Sequence, residues 1–219
     1  MDIMELQNIC YSYDGKNPVL KNVCCSFRQG VMYVITGKSG SGKSTLMSLM
    51  AGLDRPTSGQ IVYEGQPMTA IDLDEYKKRC VSMIYQDFRL FPQLTVLENI
   101  MYPMELCRVD AATMRRDAEA LAGTVSLSSK LFHRFPGGIS GGEQQSVGIA
   151  RALTMNRKTI LADEPTGNLD SENSDQIIAI LSRLVHEENR CVIMVTHDLS
   201  VMKKADVVYQ LIDGTLRTL

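Results

Sequence analysis

Gly37-Lys38-Ser39-Gly40-Ser41-Gly42-Lys43-Ser44 has the spacing G-x-x-x-x-G-K-[ST], follows the apolar run Val31 to Thr36 and leads into Thr45-Leu46-Met47-Ser48-Leu49-Met50, which reads as a helix. Glycines in such a loop let successive N–H groups turn inward around α- and β-phosphates at a helix N-terminus. Lys43 is placed to reach the β- and γ-phosphates, and the Ser44 hydroxyl to ligate Mg²⁺. The segment is therefore expected to hold a nucleoside triphosphate through Gly37, Ser39, Gly40, Gly42, Lys43, Ser44 and Thr45.

Two further groups could act on that ligand. Thr159-Ile160-Leu161-Ala162-Asp163-Glu164 is an apolar strand ending in two acids. Parallel sheets place ligands at the carboxyl ends of their strands, so both carboxylates should face the bound phosphates. Asp163 would hold Mg²⁺, and Glu164 would polarise an attacking water, which argues for hydrolysis and not for binding alone. Ile139-Ser140-Gly141-Gly142-Glu143-Gln144-Gln145 opens a segment, Ser146 to Leu153, with helix-compatible apolar spacing. A serine cap followed by two glycines predicts an exposed helix N-terminus whose free N–H groups receive an anion.

The elements that must position these groups show two periodicities. Apolar segments Ile3 to Ile9, Val19 to Phe27 and Val31 to Thr36, with turn signals at Asp14-Gly15 and Gln29-Gly30, predict antiparallel strands leading into the phosphate loop. Further strands are expected at Gln60 to Tyr63 and Val81 to Tyr85. From Thr95 to Ala122 the spacing turns helical, through Val96, Leu97, Ile100, Ala111, Met114, Ala118 and Leu121, as in an inserted helical subdomain. Strands at Thr159 to Ala162, Cys191 to Val195 and Val207 to Ile212 then alternate with a helix around Asn173 to Glu187, which requires a parallel sheet. The expected fold is α/β: one domain, 1–219, with a nucleotide-binding core and antiparallel β subdomain over 1–86 and 156–219 and a helical subdomain over 87–155.

Composition narrows the class. The 219 residues are 44% hydrophobic and 22% charged, enough to bury a substantial core. A net charge of −2 advertises no basic surface, so no nucleic-acid partner is expected. Apolar runs such as Cys191-Val192-Ile193-Met194-Val195 fall far short of the roughly 18 residues that cross a bilayer. Met1-Asp2-Ile3-Met4-Glu5 lacks the basic-then-apolar pattern of a secretory signal, so a cytoplasmic location is expected. Cys10, Cys24, Cys25, Cys80, Cys107 and Cys191 have no zinc-ligand spacing and read as reduced thiols, mostly small core residues.

The order of phosphate loop, Gln86, Ser140-Gly141-Gly142-Glu143-Gln144, Asp163-Glu164, Asn168-Leu169-Asp170 and Thr196-His197-Asp198 resembles the nucleotide-binding subunit of ABC transporters over essentially the whole chain. The resemblance implies that Tyr13 stacks on adenine and that Gln86 senses Mg²⁺ and the transport partner. It implies that Ser140, Gly141 and Gly142 contact the γ-phosphate of a nucleotide held by a second copy, with Asp170 across the dimer interface. It implies that His197 contacts the γ-phosphate and orients Glu164. Catalysis is thus expected from Glu164, His197 and Gln86, metal binding from Ser44, Gln86 and Asp163, with ATP and Mg²⁺ as ligands.

The implied assembly is a homodimer closing on two ATP molecules, attached to the inner face of the membrane through an integral membrane permease. Ala162 to Ser171 together with Gln86-Asp87-Phe88-Arg89-Leu90-Phe91-Pro92 looks like the subgroup that serves lipoprotein release, macrolide export, bacitracin-type peptide resistance and bacterial cell division. A non-transporting cell-division complex is the alternative. Phe88, Leu90, Phe91 and Pro92 are expected to form part of the groove that receives the permease. Ser146 and Gly138 depart from the family pattern, where an arginine and a longer polar residue are common.

Overall fold

The computed structural model describes residues 2–167, 169 and 171–219, leaving out the side chains of Ser171 and Glu172. The chain opens with β1 (Asp2–Tyr11), β2 (Leu20–Arg28) and β3 (Met32–Thr36), followed by α1 (Lys43–Met50), β4 (Ser58–Tyr63), β5 (Gln66–Pro67), α2 (Leu73–Arg79) and β6 (Val81–Ile84). Three helices follow, α3 (Val96–Leu106), α4 (Ala111–Thr124) and α5 (Gly141–Leu153). The chain ends with β7 (Thr159–Asp163), α6 (Ser171–His186), β8 (Cys191–Val195), α7 (Leu199–Met202), β9 (Val207–Ile212) and β10 (Thr215–Thr218).

Two sheets result. An antiparallel sheet has the order β2-β1-β4-β5, and a six-stranded sheet has the order β10-β9-β3-β8-β7-β6. Within the second, β9, β3, β8, β7 and β6 are all parallel, and only β10 runs against its neighbour. This corrects one expectation: β3 does not continue the antiparallel sheet of β1 and β2 but enters the centre of the parallel one. The reason lies in its sequence. Met32, Tyr33, Val34 and Ile35 are apolar on both alternations and all buried, as a strand covered on both faces requires. β2, by contrast, exposes Lys21 and Asn22 between its buried positions.

The alternation divides the core in two. Met32, Val34, Ile160, Ala162, Val192 and Met194 face α3, α4, α5 and α6, while Tyr33, Ile35, Leu161, Ile193 and Val195 face α1, α2 and the antiparallel sheet. Each fully buried aliphatic side chain there contributes about 1.5–3 kcal/mol, so the central strands are held from both sides. α1 is thereby fixed between the two sheets, and its N-terminus against the end of β3.

Caps set the helix starts. Thr95 and Glu98 form a reciprocal capping box on α3, and Asp110 caps α4 by accepting from the Thr113 N–H. Between β6 and α3 the chain turns through left-handed Phe88 (φ 57°) and Arg89 (φ 45°). Asn99, fully buried, fastens this segment: its Oδ1 accepts from the Phe91 N–H at 2.8 Å and its Nδ2 donates to the Phe91 and Leu94 carbonyls at 3.1 and 3.0 Å.

The cysteine expectation also needs correction. All six are free thiols, but only Cys191 is buried, and Cys24 is exposed. Cys10 and Cys24 lie on the outer face of the antiparallel sheet, where their Sγ atoms sit 3.2 Å from the Asn22 and Asn8 side-chain oxygens. Strand alternation, not hydrophobicity of the thiol, decided their side.

Candidate active site

Four adjacent parallel strands, β3, β8, β7 and β6, end on the same edge of the sheet. β3 runs into the loop from Gly37 to Gly42, β7 delivers Asp163 and Glu164, β8 is followed by Thr196 and His197, and β6 ends two residues before Gln86. The loops open onto a cleft of about 600 Å³ lined by Tyr13, Gly37, Ser39, Gly40, Gly42, Lys43, Ser44, Thr45, Gln86, Asp163, Glu164 and His197. Val19 and Val195 complete the lining, and neither was expected from the sequence. Residues up to 184 positions apart are gathered here because strands that alternate with helices return every carboxyl end to one edge.

Glycine is demanded at two places in the loop. At Gly42 the backbone is left-handed (φ 103°), and a Cβ would lie 3.0 Å from Leu20 and 3.1 Å from Val19. At Gly37 a Cβ would come within 2.5 Å of the Leu211 carbonyl oxygen. Gly42 is also the N-cap of α1 and supplies no side-chain bond, so the first-turn N–H groups of α1 face the cleft. The Lys43 ammonium donates to the Gly37 and Lys38 carbonyls at 2.9 and 3.0 Å, which holds its charge over the loop.

Asp163 is hydrogen-bonded to the Ser44 hydroxyl. Burial pushes its carboxyl above the ordinary value; the Ser44 bond works against this, the charge of Glu164 adds to it, and Lys43 opposes it. A desolvated carboxylate beside a hydroxyl is a hard-oxygen donor pair that suits a Mg²⁺ sharing the phosphate oxygens. Among the described residues no group of three or more His, Cys, Asp or Glu is placed to hold a metal by itself. The pair fits a cation that also takes oxygens from the phosphates of a nucleotide.

Glu164 begins the turn after β7 with φ 46°, a left-handed conformation that costs a non-glycine residue on the order of 1 kcal/mol. Its N–H donates to the Val195 carbonyl at 2.9 Å. Oε1 lies 2.9 Å from His197 Nδ1, while Oε2 is buried with no partner among the described residues. One oxygen is thus oriented by the imidazole, and the other is turned away from solvent. His197 is largely exposed, and its hydrogen bond to Glu164 and the carboxylate's charge raise its pKa above the usual histidine value.

Tyr13 projects from the cleft wall at 73% exposure, with its hydroxyl 2.8 Å from Thr45 Oγ1 and its ring edge-on to Tyr11 at 5.0 Å between centroids. Ser140, Gly141 and Gly142 do not line the cleft. They form the N-terminus of α5, where Ser140 and Glu143 make a capping box: the Ser140 N–H donates to Glu143 at 2.7 Å and the Glu143 N–H to Ser140 Oγ at 3.3 Å. The box engages two of the donors expected to be free, leaving the N–H groups of Gly141 and Gly142 for an anion. Asn168 and Asp170 lie outside the described residues. Nothing lies within 4 Å of a Cβ built on Gly138, so its surroundings do not demand glycine.

Sequence reasoning missed two side chains of α5. Gln145, 2% exposed, donates Nε2 to the Pro165 carbonyl at 2.7 Å, and Arg151 donates to the Arg89 and Phe88 carbonyls at 2.7 and 2.8 Å. Both contacts span the fold, and no local spacing announces them.

A glycine-rich loop at the carboxyl edge of a parallel sheet, facing an aspartate-glutamate pair, defines a phosphate-loop nucleotide hydrolase. Known proteins narrow this further. The chain matches the ABC transporter family over residues 20–167. It is 36% identical over 216 residues, 98% of this chain and 96% of the relative, to the uncharacterised ABC transporter ATP-binding protein YclH of Bacillus subtilis (strain 168). The dimeric structure of MJ0796, a bacterial ABC transporter cassette, superposes with a TM-score of 0.94 at 33% identity, covering 99% of this chain and 97% of that one. A dimeric post-hydrolysis state of the MJ0796 cassette bound to ADP and Pi superposes with a TM-score of 0.93, also at 33% identity and with the same coverage. The chain belongs to the ABC transporter ATP-binding family, and it is an ABC-type ATPase.

Proposed function

We propose that two copies of this chain close on two ATP molecules and that hydrolysis at the shared sites drives a membrane permease. The observation that carries the reading is the separation of two half-sites: Lys43, Asp163, Glu164 and His197 meet in one cleft, while the anion-receiving tip of α5 lies off it. A tip with no phosphate in its own chain gains one when a second copy supplies its cleft. The dimeric MJ0796 cassettes support this arrangement.

In the closed pair, loop N–H groups and Lys43 hold the phosphates, Tyr13 stacks on the adenine, and Ser140, Gly141 and Gly142 of the opposite copy engage the γ-phosphate. Bound Mg²⁺, held by Ser44, Asp163 and Gln86, would neutralise developing charge on the phosphate oxygens. The Glu164 carboxylate accepts a proton from water as that water attacks the γ-phosphorus and the bond from phosphorus to the departing ADP oxygen breaks. His197 fixes the carboxylate through Oε1 and offers its proton toward the γ-phosphate. Asp170 lies across the interface. The boundaries 87–155 for the helical subdomain put the Phe88 to Pro92 stretch at its junction with the core.

At that junction Phe91, Tyr102, Leu106, Tyr85 and Arg89 line an open groove of about 430 Å³. We assign it to a cytoplasmic segment of the permease, and propose that the chain works on the inner face of the cell membrane. The subgroup is the one serving lipoprotein release, macrolide export or antimicrobial-peptide resistance, and the permease selects the cargo.

The direct test is Glu164→Gln. ATP affinity should persist while turnover falls about a hundredfold or more. Light scattering should show monomers without nucleotide and dimers with Mg-ATP. Near wild-type phosphate release, or a monomer at saturating ATP, defeats the reading.

A further inference from the structure

Gln145 sits one turn inside α5, between the tip that would grip a partner's phosphate and the core that surrounds the helix. It is 2% exposed, and its Nε2 donates at 2.7 Å to the carbonyl of Pro165, the residue after Glu164. Its Oε1 has no partner among the described residues. An aliphatic side chain would fill this space but would leave the Pro165 carbonyl without this donor, so the amide supplies a bond that packing alone does not replace.

That bond reaches an unusual piece of backbone. Glu164 is left-handed at φ 46°, where side-chain-bearing residues are uncommon. Its own N–H is tied to β8 through the Val195 carbonyl at 2.9 Å, and its carbonyl accepts from the Gly167 N–H at 3.1 Å. β8 therefore fixes the turn on one side, and Gln145 fixes the following carbonyl on the other. Toward its far end, α5 is joined through Arg151 to the Phe88 and Arg89 carbonyls, which ties the helix to the segment after β6.

We propose that Gln145 is a positioning residue that links the two nucleotide sites: when the tip of α5 engages the nucleotide of the partner copy, Gln145 carries the displacement into this chain's own Glu164-Pro165 turn. Phosphate capture in one site thereby sets the posture of the carboxylate in the other. The inference rests on the composite-site reading above. It adds a specific side chain and a direction, from α5 to Glu164 within one chain.

The test uses the full-length protein with Mg-ATP and two substitutions. Gln145→Met keeps the length and volume and removes the donor. Gln145→Glu presents a donor when its carboxyl is protonated and only acceptors when ionised. In Gln145→Met, kcat should fall about tenfold and the Hill coefficient for ATP should drop toward one. ATP-driven dimerisation, measured in the Glu164→Gln background, should keep its half-saturating ATP concentration within about twofold. In Gln145→Glu, kcat relative to the unsubstituted protein should rise as pH falls, while the ratio for Gln145→Met stays flat. If Gln145→Met does not fold, the pH profile of Gln145→Glu decides alone. Unchanged kcat and Hill coefficient, a fall in kcat that only follows lost dimerisation, or a flat profile for Gln145→Glu overturns the proposal. Failure confined to Gln145 leaves the composite site standing, whereas a Glu164→Gln protein that turns over or stays monomeric with ATP removes its foundation.

Discussion

α1 and α5 both begin at glycines that expose backbone N–H groups, yet their surroundings equip them for different tasks. α1 has Gly42 as its cap, no side-chain bond to its first turn, and the Lys43 ammonium held above it. Asp163, Glu164 and His197 stand across the same cleft. α5 has a serine cap whose box with Glu143 uses two donors, and its Gln145 reaches the turn after β7. An anion at α1 meets a full set of donors plus a cation; at α5 it meets two N–H groups and a hydroxyl. On the proposed reading the first end holds the nucleotide, and the second adds the contacts that tell a γ-phosphate from its absence.

The sharpest way to break this comparison is to spoil the two ends in separate molecules. Gly142 has ordinary helical backbone, and a Cβ there would make only ordinary contacts, 3.6 Å to Leu169 and 3.9 Å to Asn173, so Gly142→Asp should fold. Its carboxylate would repel the partner's γ-phosphate. Turnover should fall about a hundredfold, with melting temperature and monomer ATP binding retained. Mixed with Glu164→Gln, however, it should regain about a tenth of full turnover, because each mixed dimer contains one site with an intact cleft facing an intact α5, while the spoiled tip of that cleft's own chain withholds the link through Gln145. Two inactive variants that stay inactive on mixing would mean that the tip serves its own chain.

A smaller effect distinguishes the parts of the cleft itself. His197 is raised by its hydrogen bond to Glu164 and by that carboxylate's charge. Because the folded value lies above the unfolded one, about 6.5, the pair's contribution to stability is complete below that pH and is lost as pH rises through the raised value. His197→Gln should remove this dependence, so its melting temperature should approach that of the unsubstituted protein on the alkaline side. Turnover should fall about tenfold as Glu164 loses its orienting partner. A melting difference that is the same at about pH 5.5 and pH 9 would show that the imidazole is not the titrating group.

How much of this was legible in the sequence depends on range. The loop from Gly37 to Ser44 and the strand ending in Asp163-Glu164 announce themselves because each is one uninterrupted segment whose spacing its chemistry dictates. The helices around Val96 and Ala111 follow from periodicity. β3 was assigned to the wrong sheet because pairing is a property of two strands, although its doubly apolar pattern carried the correct answer. α2 was overlooked despite Asp72 as cap, Asp74 and Glu75 in its first turn and Lys77, Lys78 and Arg79 in its last. β10 is short and half-exposed, with too little pattern to read. The links from Gln145 to Pro165 and from Arg151 to Phe88 could not be read at all, since they depend on how α5 packs and not on the residues beside it.

The last contrast is between two neighbours in the segment after Gln86, Leu90 and Phe91, which the sequence grouped as one surface. The structure separates them: Leu90 packs against the core, whereas Phe91 is 39% exposed, lines the groove, and lies against Tyr102 with the rings tilted by 52° and their centroids 4.5 Å apart. The backbone at Phe91 is held by the buried Asn99 amide and not by its own ring. Phe91→Glu should therefore lose only about 1 kcal/mol from the ring contact and keep soluble ATPase turnover within about twofold. Leu90→Glu places a charge against apolar packing and should cost several times more, lowering the melting temperature and activity together. If the groove receives the permease, Phe91→Glu should also stop sedimenting with permease-containing membrane vesicles, while the unsubstituted chain still does. Retention of Phe91→Glu on those vesicles, with turnover still stimulated, would move the coupling surface elsewhere and leave the ring a packing residue.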